Sequence, residues 1–433
     1  MNNNKKYSHQ INLNLNVRGL PQSATLHINE RSNKLIQEGR KIYKLGLGHS
    51  PVPVPKTVVE ALQKNAYQKD YLPVKGLYKL REAVANYHFR LNGISHFADD
   101  VLIGPGSKEL MFLLQLVYYG DLVIPTPSWV SYAPQAHIIG RHVRWLPTQK
   151  EEKWLLSAGD LIEHCKDDPD KPRIVILNYP SNPVGITYST SELKEIALVA
   201  KQYKIILLSD EIYGELTFKG NHTSIAQFYP EGTIISSGLS KWCGAGGWRL
   251  GTFTFPPSLR WLLDSMSVVA SETFTATSAP IQHAAITAFK GGKKINKYLW
   301  RARWVLEKLG TIISEKLKSN GIFTVNPSGG FYLFASFDSF KDELNLKGIT
   351  TSEILCERLL DEKGVAILPG TVFGRPEEEL TARIAYVNFN GKKAMEEALL
   401  LNSKESIDDK FIKICCNDTL KEIDLICEWV QNI

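Results

Sequence analysis

From about residue 100 onward the apolar positions alternate between two textures. Short runs without a polar break, rich in β-branched residues, occur at Val101-Leu102-Ile103, Leu122-Val123-Ile124, Ile174-Val175-Ile176-Leu177, Ile205-Ile206-Leu207-Leu208 and Thr233-Ile234-Ile235. A strand that is apolar at every position is buried on both faces, so these runs predict a mostly parallel sheet flanked by helices. The segment between two of them supports this. Ser189-Thr190-Ser191-Glu192 is a capping box ahead of Leu193, Ile196, Ala197 and Ala200, whose three- and four-residue spacing gives one apolar helix face. Strand, helix, strand is the repeating unit of an α/β domain.

The texture changes after Pro256-Pro257, where long helical stretches begin, including the tract from Lys297 to Leu317. Phe331-Tyr332-Leu333-Phe334, Gly364-Val365-Ala366-Ile367-Leu368 and Arg383-Ile384-Ala385-Tyr386-Val387 then read as strands with helices between and after them. A second, smaller α+β domain is expected there. Upstream, the prolines of residues 50–55 make a stiff extended segment that sets off an N-terminal arm. The expected division is an arm and part of the small domain in residues 1–55, a large domain in 56–320 and the small domain in 321–433. No internal repeat is visible, and the one low-complexity tract is the asparagine run at residues 2–4.

A chain of 433 residues has room for two or three domains at about 150 residues each. With 43% hydrophobic and 22% charged residues it has the balance of a globular protein, which excludes a disordered chain. The formal charge of +6 is spread too thinly to argue for nucleic acid or an acidic membrane surface as partner. The densest basic cluster, Arg141-His142-Val143-Arg144, alternates with apolar positions and reads as a solvated strand edge. Six cysteines without a CxxC pair fit neither a disulfide framework nor a zinc site, so a reduced, metal-free protein is expected. The N-terminal residues lack the apolar centre of a signal peptide, and stretches such as Leu110 to Tyr119 are too short to span a bilayer. A cytoplasmic protein, with no membrane and no nucleic-acid partner, is the expectation.

In an open parallel sheet, ligands bind beyond the carboxyl ends of the strands. After Leu177 comes Asn178-Tyr179-Pro180-Ser181-Asn182-Pro183-Val184-Gly185; after Leu208, Ser209-Asp210-Glu211-Ile212-Tyr213; after Ile235, Ser236-Ser237-Gly238-Leu239-Ser240-Lys241. After Ile103, Gly104-Pro105-Gly106-Ser107-Lys108 opens directly into a helix, whose free N–H groups and dipole suit a phosphate. An anion cradle, a carboxylate, a phenol, an amide and one lysine are the set that pyridoxal phosphate needs. The lysine forms a Schiff base, and the carboxylate keeps the pyridine nitrogen protonated so that the ring accepts electrons. Gly244-Ala245-Gly246-Gly247 does not suit a dinucleotide, because it follows a lysine-bearing loop rather than joining a strand to a helix.

On these motifs the chain resembles the class I and II aminotransferase family of fold-type I pyridoxal-phosphate enzymes, and within it the bacterial aspartate aminotransferases. The match runs from about residue 17 to residue 400, and the strongest motif is Ser240-Lys241-Trp242-Cys243-Gly244-Ala245-Gly246-Gly247-Trp248-Arg249-Leu250-Gly251. The resemblance implies that Lys241 is the catalytic lysine and that Gly106, Ser107, Lys108, Ser240 and Arg249 hold the cofactor phosphate. It implies that Trp129 stacks on the ring, Asn182 and Tyr213 bind the ring oxygen, and Asp210 pairs with the ring nitrogen. Arg383 would grip the substrate α-carboxylate with help from Asn182 and Gly48. Tyr71 would reach the phosphate of a neighbouring subunit, which implies a homodimer with shared active sites.

Lys108 and Ser23 match positions that hold a distal carboxylate, which favours aspartate or glutamate with 2-oxoglutarate. An aromatic or prephenate aminotransferase and a C–S lyase on the same fold are the alternatives. One departure from the family pattern is Gly48-His49-Ser50-Pro51, which lacks the usual acidic-proline pair after the glycine. The residues after about Asn402 exceed the family's usual terminal helix.

Overall fold

The computed structural model describes residues 12–20 and 22–433; residues 1–11, with the asparagine run at 2–4, and Pro21 lie outside the described residues. The strands along the described chain are β1 (Tyr43–Lys44), β2 (Val101–Gly104), β3 (Asp121–Thr126), β4 (Val143–Pro147), β5 (Arg173–Asn178), β6 (Ile206–Asp210), β7 (Thr233–Gly238), β8 (Gly251–Thr254), β9 (Tyr332–Ser336), β10 (Val365–Ala366), β11 (Leu368–Pro369) and β12 (Thr381–Ala385).

Seven of them form one sheet in the order β2-β8-β7-β6-β5-β3-β4. The pairs from β7 through β6, β5 and β3 to β4 are parallel, whereas β8 runs antiparallel to both β7 and β2. All five apolar runs read from the sequence are strands of this sheet, and every residue of β2, β6 and β7 is buried. Helices cover both faces. Leu110 and Leu114 of the helix Ser107–Val117 and Leu262 and Met266 of the helix Arg260–Glu272 pack on Leu102, Ile176, Leu208 and Ile234. On the other face Leu193, Ile196 and Ala200 of the helix Thr190–Gln202 pack on Val123, Val175 and Leu207. The capping box holds that helix in register: the Ser189 hydroxyl accepts from the Glu192 amide, and the Ser189 amide donates to Glu192 Oε2 at 2.6 Å.

The basic cluster leads into β4, the outer strand of the sheet, where Arg144 and Trp145 are exposed. The apolar pattern did not indicate β1 or β4, nor β8, whose Gly251-Thr252-Phe253-Thr254 has one large apolar residue in four.

The rest of the chain builds a three-stranded antiparallel sheet, β11-β12-β9, and a parallel pair of β1 with β10. That pair joins the N-terminal segment to the C-terminal third of the chain, Tyr43 lying opposite Val365. The single strand expected over residues 364–368 is divided at Ile367, since β10 pairs with β1 while β11 pairs with β12. The tract from Lys297 to Leu317 lies within one helix of 27 residues, Lys293–Ser319. The residues beyond 402 form two more helices, Asp409–Cys415 and Asn417–Gln431. Ile412, Cys416, Ile423, Ile426 and Val430 join the main apolar cluster, so this extension is core rather than tail. No described helix is long and apolar enough to cross a membrane.

Candidate active site

The carboxyl ends of β2, β5, β6 and β7 open into a cavity of about 540 Å³. Of the residues expected from the sequence, Gly48, Ser107, Lys108, Trp129, Asn182, Asp210, Tyr213, Ser240, Lys241 and Arg249 all line it. His49, Ser50 and Asn178 line it as well. Gly106, Arg383, Ser23 and Tyr71 do not, each for a different reason.

Gly106 lies just behind the wall. It precedes the helix Ser107–Val117 with φ +94° and no side-chain cap, so the first amides of that helix are left for a ligand. A Cβ at 106 would fall 2.2 Å from an Arg249 guanidinium nitrogen, so the glycine is what lets the arginine approach the helix end. Arg249 is itself in the left-handed region, φ 53°, and donates to the Gly246 carbonyl at 2.8 Å. A non-glycine residue held there stores on the order of 1 kcal/mol of strain, a cost found where function requires it. Burial, and then the neighbouring Arg249 charge, lower the Lys108 ammonium below its ordinary range. Two cations, two hydroxyls and a helix N-terminus thus converge with no carboxylate among the described residues in salt-bridge range of either cation, which is the chemistry of an anion site.

Opposite the cradle, Asp210 ends β6 fully buried. Its Oδ2 accepts from the Tyr132 hydroxyl at 2.6 Å, and its Oδ1 from Ser236 at 3.3 Å and the Ile212 amide at 3.4 Å. Burial drives this carboxyl up to about 6 against those hydrogen bonds and the nearby Lys241 charge. A cationic group seated in the cavity would bring it back down. Trp129 forms the side wall, edge-on to Tyr132 at 5.2 Å and beneath the Lys108 ammonium at 5.7 Å. Asn178 ties two of the strand ends together: its Nδ2 donates to the Asp210 carbonyl at 2.9 Å and its Oδ1 accepts from the Asn182 amide at 2.7 Å.

Lys241 Nζ donates to the Gly48 carbonyl at 2.7 Å and stands 5.5 Å from the centre of the Tyr213 ring. The backbone of the N-terminal arm is therefore the acceptor for the amine. His49, beside it, is held below the usual histidine range by burial and by the Lys241 charge. Tyr213 shares a 2.8 Å hydrogen bond with Tyr332, whose hydroxyl also reaches the Gly48 carbonyl at 3.5 Å.

Arg383 is 2% exposed and forms a floor behind Asn182. It donates to Asn182 Oδ1 at 3.0 Å and to the Gly46 carbonyl at 2.6 Å, and its guanidinium lies 4.7 Å from the Tyr332 ring and 5.1 Å from that of Phe373. Its Nε has no acceptor, and no carboxylate among the described residues pairs with it. A guanidinium buried without a protein counter-ion is suited to receive a carboxylate.

Ser23 precedes the helix Ala24–Gln37 and lies in an adjoining cavity of about 760 Å³, which shares Lys108 and Trp129 with the first. Tyr71 is 92% exposed and lines neither cavity. The site residues that the sequence did not single out are Tyr132, Asn178, Ser236 and Tyr332. Tyr132 follows Trp129 by three positions and was readable as part of the same turn; Tyr332 carried no local signal.

The family model for aminotransferase class I and II matches residues 40–398. An asparagine–oxo-acid transaminase of Streptococcus mutans is 31% identical over 384 residues, covering 86% of this chain and 94% of the relative. An aspartate aminotransferase of Bacillus sp. (strain YM-2) is 30% identical over 407 residues, covering 92% and 98%. Among solved structures, aspartate aminotransferase from Thermus thermophilus with maleate superposes with a TM-score of 0.80 at 27% identity, covering 90% of this chain and 98% of that one.

Proposed function

Since this chain belongs to the class I and II aminotransferase family and is an aminotransferase, we propose that it binds pyridoxal phosphate through Lys241 and moves an amino group from an L-amino acid, aspartate or glutamate foremost, to a 2-oxo acid such as 2-oxoglutarate. The observation that carries this reading is the meeting of one lysine amine, one buried carboxylate and a pair of unpaired cations in a single cavity. The residues present fit the cofactor: Ser107, Lys108, Ser240, Arg249 and the helix N-terminus would hold its phosphate, Asp210 its ring nitrogen, Asn182 and Tyr213 its ring oxygen, and Trp129 its face.

When bound, the cofactor supplies an electron sink for the pair left on the substrate α-carbon when its proton departs. The chain does the rest. Arg383, braced by Asn182 and Gly46, fixes the substrate α-carboxylate and so orients the α-carbon. Lys241 Nζ, whose acceptor is the Gly48 carbonyl, would take the proton from that carbon once the substrate amine has freed it from the cofactor. Asp210 stays ionised against the ring-nitrogen proton, with Tyr132 and Ser236 keeping both of its oxygens in place. Trp129 shields the face of the site from water.

The preference for a dicarboxylic substrate rests on Lys108, which faces both cavities, and on Ser23 in the adjoining one. We also propose a homodimer, which would give the exposed Tyr71 a phosphate to reach in its neighbour, and the division of the chain at residues 55 and 320. The test is addition of pyridoxal phosphate to the full chain. A visible absorbance band that borohydride bleaches while fixing the cofactor covalently to Lys241, together with 2-oxoglutarate-dependent consumption of L-aspartate, is the expected result. Lys241→Ala should lose both; a variant that still turned over would refute the assignment.

A further inference from the structure

Tyr332 lines no part of the cavity, yet it touches three groups of the site. Its hydroxyl is 2.8 Å from that of Tyr213 and 3.5 Å from the Gly48 carbonyl, the same oxygen that receives the Lys241 amine at 2.7 Å. Its ring lies under the Arg383 guanidinium at 4.7 Å. The position of that hydroxyl is fixed from behind: Tyr332 is 1% exposed on β9, and a Cβ at Gly48 would fall 2.1 Å from its oxygen. Gly48 is thus a glycine because a phenol stands against it.

We propose that Tyr332 is a positioning residue that sets the strength of the hydrogen bond Tyr213 gives to the cofactor ring oxygen, and that it does so by donating its own hydroxyl proton to Tyr213. The proposal rests on the cofactor reading above. A Tyr213 hydroxyl engaged with the cofactor has spent its proton, so Tyr332 must then turn its single proton from the long 3.5 Å bond to the Gly48 carbonyl to the 2.8 Å contact with Tyr213. A phenol that accepts a hydrogen bond is a stronger donor in turn. The ring oxygen that Tyr213 binds is the one that also shares the proton on the nitrogen joining Lys241 to the cofactor. The stronger the Tyr213 bond, the less of that oxygen's electron pair is left for the nitrogen's proton, and the more readily the proton leaves. Tyr332 therefore lowers the pH at which that nitrogen titrates, without touching the cofactor. Its ring serves a separate purpose, as the platform for Arg383, so loss of the hydroxyl alone leaves carboxylate binding in place.

The experiment is a pH titration of the visible absorbance of the cofactor-loaded full chain, for wild type, Tyr332→Phe, Tyr213→Phe and the double variant. Removing one hydrogen bond from the relay should raise the Tyr332→Phe midpoint by about half to one pH unit. Tyr213→Phe should raise it further, and adding Tyr332→Phe to Tyr213→Phe should change the midpoint by no more than about 0.2 unit, since the relay is already cut. In turnover, Tyr332→Phe should lower kcat while KM for the amino acid stays within about twofold. Gly48→Ala, which pushes the phenol aside without altering it, should shift the midpoint in the same direction and serves if Tyr332→Phe folds poorly. A Tyr332→Phe midpoint equal to that of wild type, or a shift that persists in full in the Tyr213→Phe background, overturns the proposal. A wild-type chain that forms no visible band overturns the cofactor reading itself, a separate outcome.

Discussion

Replacing Arg383 by lysine keeps the positive charge and removes the fork. Of the five guanidinium N–H donors, the chain engages one on each terminal nitrogen, through Asn182 Oδ1 at 3.0 Å and the Gly46 carbonyl at 2.6 Å, and leaves Nε without an acceptor. A carboxylate entering beside Asn182 can therefore take two parallel bonds, whereas an ammonium in the same place offers one and frees one of the two braces. Hydrogen bonds to charged groups contribute about 1.5–3 kcal/mol each. Losing one, together with part of the bracing, should cost about 2–4 kcal/mol of transition-state binding, or about 30- to 1,000-fold in kcat/KM.

Both substrates carry an α-carboxylate, so the loss should fall on the amino acid and the oxo acid alike, mostly in KM. Initial rates with L-aspartate and 2-oxoglutarate, followed by coupling oxaloacetate formation to NADH oxidation, measure this directly. Because the guanidinium also packs on Tyr332 and Phe373, thermal midpoints should be recorded alongside. A variant with unchanged kcat/KM and only a lowered midpoint would show Arg383 to be a packing residue and refute the carboxylate assignment.

Asp210→Asn should bind the cofactor yet lose at least about 100-fold in kcat, since the amide cannot balance a ring-nitrogen proton. In the cofactor-free protein the Asp210 carboxyl is raised from 3.8 to about 6 by burial, so the native state holds a proton that the unfolded state gives up. Wild type should therefore lose about 2–3 kcal/mol relative to Asp210→Asn as pH rises through that window, read as the difference between their denaturation curves. In the C-terminal extension, burial raises the Glu422 carboxyl from 4.5 to about 8, and its Oε2 has no partner while Asn388 binds Oε1. The sign is the same: stability is full below 4.5 and falls as pH rises to 8. Glu422→Gln, which keeps the acceptor for Asn388, should be more stable than wild type at about pH 9 by up to about 5 kcal/mol and equal to it near pH 4. Denaturant midpoints that stay parallel across that range would refute the burial argument.

The parallel sheet and the residues at its strand ends were legible because each rests on a local pattern. A strand buried on both faces must be apolar throughout, so β2, β3, β5, β6 and β7 announce themselves in four to six residues, and the turn beyond each must be polar, which is where the chemistry lies. β8 escaped because its two threonines and glycine pack between β2 and β7 without a long apolar run. The C-terminal helices escaped because they have no motif, only an apolar face, and a face shows where a helix packs but not what it packs against.

What no local pattern carries is contact across the chain. Tyr132 meets Asp210 across 78 positions, Tyr332 meets Tyr213 across 119, and Lys241 meets the Gly48 carbonyl across 193. The last of these depends on how the two ends of the chain are paired. β1 aligns Tyr43 with Val365, and Ala385, at the end of β12, donates its amide to the Leu45 carbonyl at 2.8 Å, which fixes Gly46 under Arg383 and Gly48 over Lys241. The helix Asn417–Gln431 packs on the same cluster that buries Leu45 and Val365. A segment with no catalytic motif thus bears on the acceptor of the lysine amine, and loosening it should disturb the arm before it disturbs the anion cradle, whose parts all lie at the ends of the central sheet's strands, in the helix Ser107–Val117 and in the turn that joins β7 to β8.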